Sequence, residues 1–143
     1  MKGDLLLQAD DTNSEVIEQA DRDLASTDDA ARWQGAIALG EFSESDPEAI
    51  WPLVEKWGSS ADEDTRTAIA TCVLEHVLEH SFDAFFARCA KLVRSGNIEF
   101  ADTFWRCWKM GQATEPVNAA KFDRLEKEAR RLVRKTWPQS EEG

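Results

Sequence analysis

The chain has 143 residues, 42% of them apolar, and carries 28 Asp and Glu against 17 Lys and Arg, a net charge of −11. That length suits one domain with a sizeable core, and the apolar content argues against a wholly disordered chain. No apolar run approaches the roughly 20 residues that span a bilayer. A negative field repels phosphate backbones, so direct nucleic-acid binding is disfavoured along with membrane insertion.

Residues 1–12 read as a flexible acidic tail, and Leu5-Leu6-Leu7 lies between Asp4 and Asp10 rather than behind the basic flank of a secretory signal. The expected location is the cytoplasm. A first helix is expected from Asn13 or Ser14, either able to cap it, to Ala25, with Val16, Ile17, Ala20 and Leu24 as its apolar stripe. Ser26-Thr27-Asp28 breaks and re-caps the chain for a second helix over 28–42. Ala30, Trp33, Ile37 and Phe42 mark its stripe, and Ala36, Ala38 and Gly40 keep it slim enough for a close neighbour. Asp46-Pro47, an acidic cap followed by Pro at the first helical position, opens a third helix. It runs to Trp57, is stopped by Gly58-Ser59-Ser60, and contains Pro52 as a potential kink.

The fourth helix opens on Asp62-Glu63-Asp64, negative charge at the positive dipole end, and reaches His80 with Ile69, Cys72, Val73, His76 and Val77 inward. Ser81 caps a fifth helix over 82–95 and Asn97 a sixth over 98–111. Pro116 opens a last helix to Trp137 with Phe122, Leu125, Ala129, Leu132 and Val133 on one face. Residues 138–143 read as a second flexible tail. No segment alternates as a strand does, so the expected class is all-α.

The pattern also repeats, first after 34 residues and then after 35. Arg32, Ala36, Ala38 and Leu39 recur as Arg66, Ala70, Cys72 and Val73, and more loosely as Ala101, Trp105, Cys107 and Trp108. Val16-Ile17, Ile50-Trp51 and Phe85-Phe86 fall in the same register, as do Ala20, Val54 and Cys89. Two helices per unit, stacked unit on unit, is the economical reading of such a period. The segments Ala31-Arg32-Trp33-Gln34-Gly35-Ala36-Ile37-Ala38-Leu39-Gly40-Glu41-Phe42 and Glu63-Asp64-Thr65-Arg66-Thr67-Ala68-Ile69-Ala70 resemble the second helix of a HEAT repeat. Pro47 to Trp57 resembles the first helix of the following unit.

The resemblance covers residues 14–111 as three units, with Trp105 and Trp108 replacing small residues in the third. It implies an α-solenoid of about three HEAT-like helix pairs plus a C-terminal capping helix, one domain over 13–137. What it implies about function is a habit of binding proteins, with no substrate attached.

Chemistry has few candidates. Cys72, His76 and His80 stand i, i+4, i+8 on the fourth helix, and an i+4 His pair supplies two ligands for a divalent metal. The string lacks the Glu directly after the first His of HExxH, so a metal-dependent enzyme or sensor is the weaker alternative to a boundary His76 and a His80 at the helix's negative end. Cys72, Cys89 and Cys107 lie on apolar stripes without CxxC spacing and read as small hydrophobes. There is no GxSxG, P-loop or GxGxxG, and the chain is expected to be non-catalytic and to need no cofactor.

Charge gives the sharpest functional hint. Residues 1–64 carry 17 acids against 4 bases and the remainder 11 against 13. A basic protein partner is the expectation, in its sharpest form one neutralised by an acidic inhibitor of the immunity type. Asp28, Asp29, Asp62, Asp64 and Glu75 would meet its cations, with Trp33 as an anchor. The alternative is a scaffold or adaptor subunit. The basic last helix reads as a solvated face with pairs such as Asp123–Lys127 and Glu126–Arg130; attraction to the acidic half of a second copy is a further option.

Overall fold

The computed structural model describes the backbone of residues 2–137 and the side chains of residues 12–137. Among these there are helices and turns and no strand. The helices are α1 (Lys2–Leu24), α2 (Asp29–Gly40), α3 (Pro47–Gly58), α4 (Glu63–Ile69), α5 (Glu75–His80), α6 (Phe82–Arg94), α7 (Ile98–Trp105) and α8 (Pro116–Thr136). A π turn, Ala70–Leu74, joins α4 and α5 into one continuous helix. No described helix is long and apolar enough to cross a membrane. The expected tail at 138–143 lies outside the described residues.

Local sequence explains most boundaries. Asp28, Asp46, Asp62 and Asn97 each accept a hydrogen bond from the backbone N–H three residues on, at 2.9 to 3.2 Å, satisfying a donor that the first helical turn leaves open. Helix α1 starts earlier than expected, at Lys2, and includes Asn13 and Ser14 instead of being capped by them. No Gly or Pro stands between Asp4 and Leu24 to stop it. Pro52 sits exposed within α3, whose helix continues through it. Ser81 makes no side-chain cap; the N–H of Phe82 is met by Gln112 Oε1 at 2.8 Å from 30 residues away. Spacing along the chain carries no signal of that cap.

The helices pack in two rows. In one, α1 lies against α3, α3 meets α6 through Trp51 and Phe85 (ring centroids 5.3 Å apart), and α6 lies against α8. In the other, α2, α4 and α7 are neighbours. Between the rows runs one core: Ala20, Val54 and Cys89 are buried, as are Ile50, Phe85, Phe100, Phe104 and Phe122. The same period also places Ala36 with Ala70 and Leu39 with Val73, all fully buried. Cys89 and Cys107 are buried too, and burial pushes both thiols upward, away from the reactive thiolate.

The third unit departs from this pattern. Helix α7 ends at Trp105, not near residue 111, and Trp108, aligned by the period with the buried Leu39 and Val73, is 74% exposed. Two tertiary bonds turn the chain there: the Cys107 thiol lies 3.6 Å from the Ala70 carbonyl, and the Trp108 N–H donates to Glu75 Oε1 at 3.1 Å. Gly111 then takes φ +52° against the backbone of Glu79, a left-handed conformation that suits glycine. Ile37, expected inward on α2, is 45% exposed.

The π turn shapes the contact between α2 and its neighbour. Its altered register turns the Cys72 carbonyl toward Gly40, where any Cβ would overlap that oxygen. The Ser43 hydroxyl donates to the Val73 carbonyl at 3.4 Å from the same side. Gly40→Ala is therefore expected to destabilise the chain by about 1–3 kcal/mol, the usual range for overpacking, read as a lower urea midpoint with an unchanged slope.

Candidate protein-binding edge

The sequence places three acids at the start of α4 and two at the start of α2, and the fold makes those starts neighbours. The first residues of each helix are organised by one string, Ser-x-Asp-x-x-x-Arg, present as Ser26 to Arg32 and again as Ser60 to Arg66. In both copies the serine Oγ accepts from the Asp N–H, at 3.0 and 3.1 Å. In both, the Asp caps the helix, and the arginine donates back to the serine carbonyl at 3.1 and 3.0 Å. The turn is thus closed by side chains, which fixes where each acid stands.

Each arginine then reaches the next helix of its row. Arg32 lies 3.4 Å from Asp64 and 3.7 Å from Asp62, and also pairs with Asp29. Arg66, only 5% exposed, bonds Asp102 on α7 at 2.9 Å. Asp102 is itself buried and also accepts from Arg106 Nε at 2.8 Å. Two indoles make matching links: Trp33 Nε1 donates to Asp64 at 3.0 Å, and Trp57 Nε1 to Asp21 at 2.8 Å. Against the opposing effect of burial, hydrogen bonds from Trp57 and Lys56 hold the Asp21 carboxyl below its ordinary value. Hydrogen bonds from Thr65 do the same for Asp62.

Of the residues the sequence nominated, Asp28, Asp29, Trp33, Asp62 and Asp64 come together around Arg32. Asp28 and Asp62 are caps, and Asp64 holds Trp33. Asp29, which pairs with Arg32, has its side chain 80% exposed, and Glu63, which pairs with Arg106, is 71% exposed. A recess of about 530 Å³ lies between the two turns, lined in part by Ser26, Arg32, Trp57, Ser60 and Asp62. A second, of about 810 Å³, is lined by Glu63, Arg66, Asp102, Trp105, Arg106 and Trp137. The edge is therefore acidic outside and cationic underneath, able to take Lys and Arg side chains on its outer carboxylates.

Glu75 is not part of it. It is buried on α5, accepts the Trp108 N–H, and burial pushes its carboxyl upward. His76 and His80 also face carboxylates: His76 Nδ1 lies 3.0 Å from Glu79, and His80 lies 3.6 Å from Glu44 and 3.7 Å from Glu79. Among the described residues no group of three or more His, Cys, Asp or Glu is arranged to hold a metal ion. Missing from the sequence reading were Asp21, Asp102 and the role of the arginines; the repeated Ser-x-Asp-x-x-x-Arg string was the signal that could have found the last. Comparison with protein-family models, with curated proteins and with solved structures finds no match to this chain.

Two stability tests follow from this geometry. Asp102→Ala strands the buried Arg66 guanidinium and is expected to cost about 3 kcal/mol or more in urea unfolding, whereas Arg66→Met with Asp102→Leu recovers part of that loss. Glu75 differs in sign. Its raised folded value means the wild type loses stability relative to Glu75→Gln as pH rises from the ordinary glutamate range through that value. The variant should melt higher at neutral pH, with the difference vanishing in acid.

Proposed function

We propose that the chain is a non-catalytic protein-binding module of the cytoplasm. In this reading it is a short α-solenoid of three HEAT-like pairs, α1 with α2, α3 with α4 and α5, and α6 with α7, ended by α8. Its sharpest form is an acidic, immunity-type inhibitor that covers a basic protein. The solenoid reading is supported by the Ser-x-Asp-x-x-x-Arg turn recurring at 34 residues with the same hydrogen bonds in each copy. Terminal units of such arrays need a covering helix, the place α8 fills.

The observation that carries the binding reading is the outward acid edge, where Asp29 and Glu63 stand on neighbouring helix starts with most of their side chains in solvent. Fixed carboxylates on short, capped turns lose little conformational freedom when a partner's Lys or Arg docks. A surplus of one sign also speeds encounter with an oppositely charged surface. Trp33 adds part of its ring to this edge, its N–H already held by Asp64.

The test is affinity capture with the full chain as bait, followed by calorimetry on the partner at low and physiological ionic strength. A basic partner is expected, bound about tenfold or more weakly at the higher strength, with Asp29→Lys and Glu63→Lys together weakening it at least tenfold further. A partner without basic character, or salt-insensitive binding, overturns the electrostatic reading. A basic partner that keeps full activity when bound identifies a scaffold instead of an inhibitor.

A further inference from the structure

Every joint along the row α1, α3, α6, α8 is stapled by an acid–base pair. Asp21 of α1 meets Lys56 of α3 at 3.1 Å; Glu48 of α3 meets Arg88 of α6 at 2.5 Å; Arg94 of α6 meets Glu128 of α8 at 3.0 Å. The row then stops at α8, whose outer face carries Arg124, Lys127, Arg131 and Lys135, spaced 3, 4 and 4 residues apart and all exposed. These spacings place them on one stripe of the helix, opposite the buried Phe122, Leu125, Ala129 and Val133. Among the described residues none of the four makes an ion-pair contact within 4 Å, although the charges of Arg124 and Arg131 act on Glu128. Two of the three acids of α8 pair off the stripe: Asp123 with Lys109, and Glu128 with Arg94.

The other end of the row is the electrostatic complement. On α1, Glu15 and Glu18 are exposed and form no ion pair among the described residues. Over 2–24 the chain carries seven acids against two bases, and over 116–136 seven bases against three acids. Within one molecule α1 packs on α2 and α3, and α8 on α6 and α7. The two stripes therefore close the row at its two ends.

We propose that the α8 stripe of one copy binds the α1 stripe of a second copy, extending the row of acid–base joints from molecule to molecule. Such a contact is heterologous, so it does not close on itself in a dimer and propagates head to tail. Because the pairs lie at the surface, assembly is weakened by salt.

Sedimentation of the full chain tests this. At low ionic strength the average mass should rise with concentration beyond that of a dimer, and physiological salt should weaken the association about tenfold or more. Two charge-swapped variants, Glu15→Lys with Glu18→Lys and Lys127→Glu with Arg131→Glu, should each remain monomeric alone. Mixed in equal amounts, they should assemble again, because each now offers the other a complementary end. That rescue also shows that both variants are folded. A wild-type chain that stays monomeric across concentration and salt overturns the proposal, as does assembly unchanged by either swap or a mixture that does not assemble.

Discussion

The Arg66 guanidinium is the element on which the rest of the arrangement turns. It is 5% exposed, and its donors reach the carbonyls of Ser60 and Ala61 behind it and the Asp102 carboxylate in front. One side chain thus closes the turn before α4 and ties α4 to α7. A buried cation is tolerable only when its donors are satisfied, so the turn, the helix start and the neighbouring helix must be in place together. Trp137, just past the end of α8, stacks its ring 5.1 Å from the same guanidinium and adds the last helix to that set.

Arg32 fills the same position one unit earlier with weaker means. Its acids are more open to solvent, and its contacts to Asp62 and Asp64 are longer than the Arg66–Asp102 bond. At the next equivalent position there is no arginine: Ala101 stands there, and Ser95 bonds the Leu92 carbonyl instead of serving a cap. The chain instead leaves the helix after Trp105, and α8 covers the exposed side, with Arg130 and Arg134 against the Trp105 ring. Loss of the string and loss of helix length in α7 occur together, next to α8.

How much of this was legible in the sequence depends on the range of the forces involved. The caps at Asp28, Asp46, Asp62 and Asn97 act within one helical turn, and their residue types announce them. The 34-residue period anticipated the burial of Ala36 with Ala70 and of Leu39 with Val73, while Ala38 and Cys72, aligned by the same period, are only half-buried. Some misses are local, such as the early start of α1 and the exposed Ile37, but those that shape the end of the fold are non-local. The bond from Trp108 to Glu75 spans 33 residues and that from Gln112 to the Phe82 N–H spans 30; neither leaves a trace in spacing. The π turn is equally silent in sequence, although Gly40 and Ser43 are the residues that accommodate it. Residues of the candidate edge were found because acids at helix starts are conspicuous, but their bonds to Arg32, Trp33 and Arg66 required the fold.

Those bonds change what the acidic composition means. Much of the negative charge in the first 64 residues has a folding role: Asp28, Asp46 and Asp62 hold helix amides, while Asp21 and Asp64 hold indoles. An acid at a helix start is favourable there whether or not a partner ever arrives, since it faces the positive end of the peptide dipoles. Net charge alone therefore overstates the field available for recognition. What remains for a partner is the set that points away from the caps, Asp29 and Glu63 on one edge and Glu15 and Glu18 on α1. Even Asp29 and Glu63 are not wholly free of the fold, since Asp29 pairs with Arg32 and Glu63 with Arg106, so reversing either perturbs an arginine link as well as the outer charge.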